Sequence, residues 1–574
     1  MGKFLQTQNS FAFGELSPDF YSRGDLDIFS RGLSQLNNMD ILPSGAISRR
    51  CGTSRIAQAP QNGKLIPFSI SDTENYLLLL SDNILKIYNS AEIIQEIETP
   101  WTTEQIQNIK YAQKFGSIFF VNSEHNPMIL KKNGTQFILS DFSFSVNSDM
   151  SLNIPFMKFD DADNISISIT SHTLGGNFAT LTTNENFWTP EYKDGLLFLQ
   201  DRQWVIYQYI SPTQVVAQSN TGYSITSIPI SDWKESVFSA TRGWPTSITF
   251  HQNRLLFGGT KSHPSGVWMS HVGDHHNFNT GSGLDDEAIF LTLLSSERQQ
   301  ITNIISSDNL QILTTTGEWA ISAKPLTPTN IDIRQHTSAG SVSSPYIRPQ
   351  KINRSTIFVS KNRKEVYDMV LDEIGENYTA TNLAATASHL IQSPIDMTYN
   401  ENSRQLFIVM EDGQMAVLSR LESLGISAWA QYTTNGQYKS VAVLDGETFV
   451  LTQRGEFAYL EKFSQNETLD SGEFSFTHTA TAMPMIISGR TPKKIKVHKI
   501  TARVINTKSI FINGVRAPIP NETLGGDSPG FSGDTSVGDI GTIADTLKPI
   551  WEISGNESEP ITILSVSTDG WYLI

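Results

Sequence analysis

Short apolar runs, paired across a polar or glycine-bearing turn, recur along this chain of 574 residues. They occur at Tyr76–Tyr88, at Ile118–Val121 with Met128–Leu130, at Leu255–Phe257 with Val267–Met269, at Leu310–Ile321, at Thr356–Tyr367, at Leu406–Leu418 and at Phe449–Leu460. An apolar run of this length bounded by turn residues reads as a buried strand, and two of them make a hairpin. Asp412-Gly413 and Arg454-Gly455 fall where a two-residue turn needs positive φ. Gly258 and Gly259 follow the run Leu255–Phe257, which predicts a glycine-permitted backbone turn between two strands. Apart from one large gap, neighbouring pairs stand roughly 40 to 55 residues apart, the period of four-stranded propeller blades. The expectation is an all-β fold centred on a β-propeller.

The rhythm breaks twice. Between Leu130 and Trp244 the chain carries its own strand-like text, Asn164–Ile169 and Leu196–Leu199 with Trp204–Ile210, which predicts a small inserted β domain. After Ser464, Ile495–Phe511 and Ile561–Val566 read as strands, separated by a stretch with Gly525, Gly526, Gly530, Gly533, Gly538 and Gly541 that reads as a long loop. The partition is therefore an arm at 1–55, first blades at 56–130, an inserted β domain at 131–243, the remaining blades at 244–465 and a C-terminal β domain at 466–574. Helix signals are weak throughout.

Composition narrows the function. A hydrophobic content of 39% with 10% aromatic residues supports sizeable cores. The net charge of −16, with no visible basic run interleaved with aromatics, argues against tight binding of nucleic acid or anionic lipid. Cys51 is the single cysteine, which excludes an internal disulfide and a multi-cysteine metal site. Met1–Gln8 lacks an apolar signal core, and the aliphatic run Leu77–Leu80 is far too short to cross a bilayer, so a soluble cytosolic product is expected.

Catalytic chemistry finds little support. His271, His275 and His276 stand near Asp285, Asp286 and Glu287, but adjacent strand residues point to opposite faces, so a solvated loop or inter-subunit rim is expected in place of a metal site. Ser567–Trp571 resembles an Asp-box of sialidase-type propellers, yet it occurs once, lacks the residue that follows the glycine, and comes without an arginine triad. Asp160-Asp161 and Asp285-Asp286 are sequence neighbours, whereas glycoside cleavage needs two carboxyls facing across a bond. Arg23-Gly24-Asp25 and the Asn-x-Ser/Thr tripeptides read as accidents of composition, and no Walker or dinucleotide fingerprint is present. No enzyme activity, cofactor or metal is expected.

The N-terminal text is dense in turn residues: Phe13-Gly-Glu-Leu-Ser-Pro18, then Pro43-Ser-Gly-Ala-Ile-Ser-Arg-Arg-Cys-Gly-Thr53. Arg49 and Arg50 are suited to clamp carboxylates bidentately, within or between subunits. In the middle of the chain stand Gly243-Trp-Pro245, Arg254-Leu255, Phe257–Thr260, Trp268–Ser270 and Gly273–Phe278.

In this order the islands resemble the tail nozzle proteins of short-tailed bacteriophages, also called tail tubular protein B. Those proteins pair a Gly-Glu-Leu-Ser-Pro-like opening with an Arg-Arg-x-Gly-Thr-like close, followed by Gly-x-Pro, Arg-Leu, Phe-Gly-Gly-Thr, Trp-x-Ser and Gly-Asp-x-x-Asn-Phe. His125–Pro127 with Leu130, Thr315–Glu318, Trp551–Ile553 and Pro560–Ile563 also look like the family's, so the likeness spans nearly the whole chain. The resemblance implies a structural subunit of a homohexameric tube below portal and adaptor, contacting tail fibres or a spike. Such a tube lets double-stranded DNA pass without tight binding, and would stand in the virion tail after assembly in the host cytoplasm. It marks Gly14, Glu15, Pro18, Arg49, Arg50, Gly52, Arg254, Gly258, Gly259, Trp268, Asp274 and Phe278 as assembly or fold residues. A propeller-type glycan-binding or glycan-cleaving tail protein is the alternative.

Overall fold

The computed structural model describes residues 2–573 apart from 90–91, 115, 175, 373–376, 487–490, 520–529 and 544–547. The chain is an all-β propeller with an inserted β domain and a C-terminal β domain. Every hairpin predicted from the apolar runs is present. Glu74–Ser81 pairs with Ile84–Tyr88, Ser117–Asn122 with His125–Asn133, and Arg254–Gly258 with Gly266–Met269. Leu310–Thr314 pairs with Glu318–Ile321, Ser355–Val359 with Val366–Asp372, Gln405–Met410 with Met415–Leu421, and Glu447–Arg454 with Phe457–Ser464.

Each hairpin forms the middle of a four-stranded antiparallel meander. The last meander, Gln437–Leu444, Glu447–Arg454 and Phe457–Ser464, takes its fourth strand from Gly52–Ala59, which precedes the first meander in sequence. The two ends of the repeat are thereby held in one sheet.

The strands are continuously apolar because both faces of the sheets are covered. Leu77, Leu78, Leu79 and Leu80 are each at most 1% exposed although successive side chains point to opposite faces. Leu77 and Leu79 pack with Phe449, Leu451 and Leu460 of the last meander. Residues 1–106, 347–370 and 380–574 form one compact unit, and 107–346 with 371–379 a second. Within the second unit, Phe257 and Trp268 pack with Phe119 and Val121, while Leu256, Val267 and Met269 pack with Ile301 and Ile312.

The insertion is an eight-stranded antiparallel sheet within Phe156–Ser236. It closes around Trp188, Trp204 and Trp233, and the Trp204 and Trp233 indoles donate to the Leu199 and Ile165 carbonyls at 3.0 and 2.8 Å. Its start is later than the expected residue 131, because Gln136–Asp141 is still the outer strand of the preceding meander.

Two further expectations change. The segment 1–55, read as an arm, contributes strands to the C-terminal domain: Gly2–Gln8 and Ile47–Arg49 pair with Thr562–Leu573, and Gly32–Asn37 pairs with Thr479–Ala482. Of the supposed glycine-rich loop, Gly533, Gly538 and Gly541 lie in the strand Phe531–Ile543, paired with Lys494–Thr507, and Gly530 immediately precedes it. Gly525 and Gly526 lie outside the described residues. Sequence periodicity missed this strand because glycines occupy positions where a side chain would have marked the face, and because two register shifts break the alternation.

The pair Gly258-Gly259 divides the expected turn. Gly259 opens the connection between Arg254–Gly258 and Gly266–Met269 in the left-handed region, whereas Gly258 remains in the strand. A Cβ on Gly258 would stand 2.5 Å from Ile304 Cδ1, so its requirement is close sheet packing. Gly259 has φ +64°, and a Cβ there would stand 2.6 Å from the Thr246 hydroxyl, whose side chain can turn aside, so its main requirement is conformational. Gly258→Val should therefore cost about 1–3 kcal/mol through overpacking, and Gly259→Val about 1–2 kcal/mol through backbone strain. Asparagine tolerates the left-handed region, so in urea unfolding Gly259→Asn should be milder than Gly259→Val, with no such relief at Gly258. Equal relief at both sites would show that the two glycines share one cause.

Candidate functional site

The N-terminal motif residues converge in the first unit on a buried junction. Gly14 has φ +59°, and a Cβ there would meet the Trp429 carbonyl oxygen at 2.3 Å, so only glycine lets this strand lie beside Ile426–Tyr432. Glu15 is 5% exposed; its carboxylate accepts the Leu36 N–H at 2.7 Å and faces His389 Nε2 at 2.7 Å. Pro18 opens a single turn of 3-10 helix, where its missing N–H costs nothing. Gly52 passes so near Leu469 that a Cβ would sit 2.2 Å from its carbonyl oxygen.

Arg50 is the centre. At 1% exposure it uses all five N–H donors. Two go bidentately to the Asp470 carboxylate at 2.8 Å each, and the others go to Asn38 Oδ1, the Cys51 carbonyl and the Thr433 carbonyl at 2.8–2.9 Å. Its guanidinium carbon lies 3.6 Å from the Phe476 ring centroid, and that of Arg49 lies 4.2 Å from the same ring.

The network continues outward from Asp470. Thr434 Oγ1 donates to Asp470 at 2.8 Å and receives Arg454 Nη1 at 2.9 Å; Arg454 Nη2 reaches Glu461 at 3.0 Å; Thr53 Oγ1 donates to Glu461 at 2.5 Å. Burial pushes the Glu461 carboxyl above its usual range. Arg49 donates to the Thr468 and Glu557 carbonyls, and burial, followed by the charge of Arg50, brings it down to about 10. The arginine pair therefore clamps carboxylate and carbonyls of its own chain.

The mid-chain motif residues lie in the second unit and hold one meander together. Arg254, fully buried, donates to the backbone carbonyls of Ser270, Asp285 and Glu287 at 2.7, 2.8 and 2.6 Å. Burial lowers its pKa, partly offset by Asp286. The acidic run 285–287 thus serves Arg254 through backbone oxygens. Trp268 stacks on Phe290 at 5.5 Å and meets Phe238 edge-on at 5.2 Å. Asp274 caps the turn by accepting the His276 N–H at 3.1 Å, and the turn delivers Phe278, 1% exposed, onto Phe257 at 5.2 Å.

The residues weighed for metal or glycan chemistry do not converge. His276 stacks on Phe142 at 4.8 Å, His271 Nε2 lies 2.7 Å from the Asn279 carbonyl, and His275 Nε2 lies 3.3 Å from Lys114 Nζ. No group of three metal-ligating side chains occurs among the described residues. Asp161 pairs with Arg242 at 2.8 Å. Ser567–Trp571 lies inside the strand Thr562–Leu573 of the C-terminal domain, bonded on both sides, and not in a propeller meander. A cavity of about 440 Å³ in the second unit is walled mainly by Phe142, Phe144, Ile154, Leu196, Phe238 and Trp244.

Sequence reasoning missed the basic run Lys493-Lys494-Ile495-Lys496-Val497-His498-Lys499. Its cations alternate with aliphatic residues instead of aromatics. Counting charge at every second residue would have found it.

Two outcomes follow. Arg50→Met or Asp470→Asn should cost about 3–5 kcal/mol in urea unfolding, because each leaves a buried charge or its partners unpaired. Combining Arg50→Met with Asp470→Leu should recover part of that loss, and a loss equal to the sum of the single changes would refute the pairing. His478 is 1% exposed, and its ring nitrogens lack a hydrogen-bond partner among the described residues. Burial, then Arg49 and Arg50, lowers its pKa to about 4. A depressed folded-state pKa means that the unfolded chain takes the proton first, so stability is full above pH ~6.5 and falls by about 3 kcal/mol as pH drops toward 4. His251, also lowered to about 4 by burial, acts with the same sign. His478→Gln should flatten the slope of the unfolding midpoint between pH 7.5 and 5 relative to the parent, and an unchanged slope contradicts this role.

No protein-family model and no curated protein matches the chain. Among solved structures it is similar to BamB from Moraxella catarrhalis, with a TM-score of 0.35 and 9% identity over 72% of this chain and 99% of that one. It is also similar to the Pan2 WD40 domain of Neurospora crassa, with a TM-score of 0.28 and 8% identity over 73% of this chain and 96% of the other.

Proposed function

We propose that this chain is a structural subunit of a bacteriophage tail nozzle, forming a ring-shaped conduit for double-stranded DNA and taking part in genome retention and ejection. The observation that carries the reading is the colinear series of sequence islands from Gly14-Glu15 to Pro560–Ile563, all in the order found in the nozzle family. The roles of those residues are consistent with it. Gly14 and Glu15 fix the N-terminal strands against Ile426–Tyr432 and His389, Arg50 and Gly52 fix them against the stretch around residue 470, and Arg254, Trp268 and Phe278 fix one meander. Motifs with framework roles suit a protein that works as a shaped body. The chain's net charge of −16 also suits low-friction passage of a polyanion.

In this reading the N-terminal motif acts on assembly indirectly, by shaping the body that meets its neighbours, and Arg50 makes no contact between subunits. The working mechanism is mechanical: a closed ring holds DNA behind a constriction and widens when the tail engages a host. Sedimentation equilibrium of the purified full chain should give a mass six times that of one copy at micromolar concentration. A monomer that releases sugars from surface polysaccharide would replace this reading with the glycan-cleaving one.

A further inference from the structure

The strand Lys494–Thr507 is central in a sheet whose neighbours are Thr562–Leu573 and Phe531–Ile543, with Gly2–Gln8 outside Thr562–Leu573. One face of this strand is core: Ile495, Val497, Ile500, Ala502 and Val504 are each at most 1% exposed. The other face carries Lys494, Lys496, Lys499 and Arg503, all exposed. Strict alternation would send Lys496 and Lys499 to opposite faces. The register shift between Val497 and Lys499 gives His498 the extra position and returns Lys499 to the side of Lys496.

Across the sheet, Lys3, Trp571 and Lys496 fall in one row, with Lys3 Nζ 5.0 Å from the Trp571 ring and the indole 36% exposed. The carboxylates on this part of the sheet are few. Asp534 is held by Arg503 at 2.7 Å, Asp569 stands opposite Lys499, and Asp539 lies on the outer strand. Among the described residues, Lys494, Lys496 and Lys499 make no ion pair. An acidic chain thus presents one locally cationic face with an exposed aromatic ring between two lysines.

We propose that this face, built on Lys3, Lys494, Lys496, Lys499 and Trp571, contacts the phosphodiester backbone of nucleic acid. Cations spaced about 6.7 Å apart along a strand meet a polymer whose charge repeats evenly, and the ring offers a stacking surface to any unpaired base. An acidic protein patch would use the lysines and leave the indole without a task. The inference goes beyond the nozzle reading and does not depend on it. The contact is sparse, about four phosphates, so it is weak and steeply salt-dependent.

The test is fluorescence anisotropy of a labelled 25-base-pair duplex, and of one of its strands, titrated with the full chain. Binding in the micromolar range at about 50 mM NaCl should weaken roughly fiftyfold at about 150 mM for four phosphate contacts. The variant with Lys494→Gln, Lys496→Gln and Lys499→Gln changes only exposed side chains, so it should melt like the parent. It should bind at least tenfold more weakly and lower the salt slope by about three. Trp571→Ala should weaken the single strand more than the duplex. Absence of saturable binding at the lower salt, or binding unchanged in the triple variant, overturns the proposal. So does polyglutamate competing as well as DNA, which would assign the face to an acidic protein. Any of these results alongside a six-chain mass would remove the contact and leave the nozzle reading intact.

Discussion

The buried pairing of Arg50 with Asp470, extended through Thr434 to Arg454 and Glu461, is the constraint on which the first unit depends. Arg50 and Asp470 are both 1% exposed, and removing such charges from water costs several kcal/mol per ion. That cost is offset only when every donor and acceptor is used, and here Arg50 uses all of its donors. The participants come from the N-terminal segment, the end of the strand Ile426–Tyr432, the last meander and the stretch around residue 470. None of these segments can shift without stranding a charge. The N-terminal segment is consequently a fixed part of the fold, and the Arg50 guanidinium, buried with every donor used, is unavailable to a neighbour.

Around this junction the hydrophobic repeat supplies the bulk. Within each unit, neighbouring meanders cover one another's faces, which explains why Leu77–Leu80 shows no alternation and why glycine is needed at Gly258, where Ile304 presses on the strand. The insertion enters between two meanders and builds its own tryptophan-centred core. Such a core is a way of adding material without rewriting the repeat.

The local part of this architecture was legible in the sequence. A hairpin is a short-range object, and paired apolar runs such as Leu406–Leu418 report it directly. What escaped was non-local. Asp470 follows Arg50 by 420 residues, and no spacing rule links them. The same holds for Gly2–Gln8 with Thr562–Leu573, whose pairing turned an expected arm into sheet. The strand Phe531–Ile543 was hidden by its glycines and bulges. The Lys493–Lys499 run was hidden by an overall charge of −16, which describes the whole chain and says nothing of one face.

The functional reading rests on motif order, and the geometry gives those motifs structural tasks. A nozzle subunit must also stand at a defined place in a virion. Electron microscopy of virions prepared from the source of this sequence, labelled with gold-conjugated antibody raised against the purified chain, tests this most directly. The account predicts label clustered at the free end of the tail below the head, on the particle axis. Label confined to lateral fibres, or unlabelled particles alongside intact free protein, would contradict it.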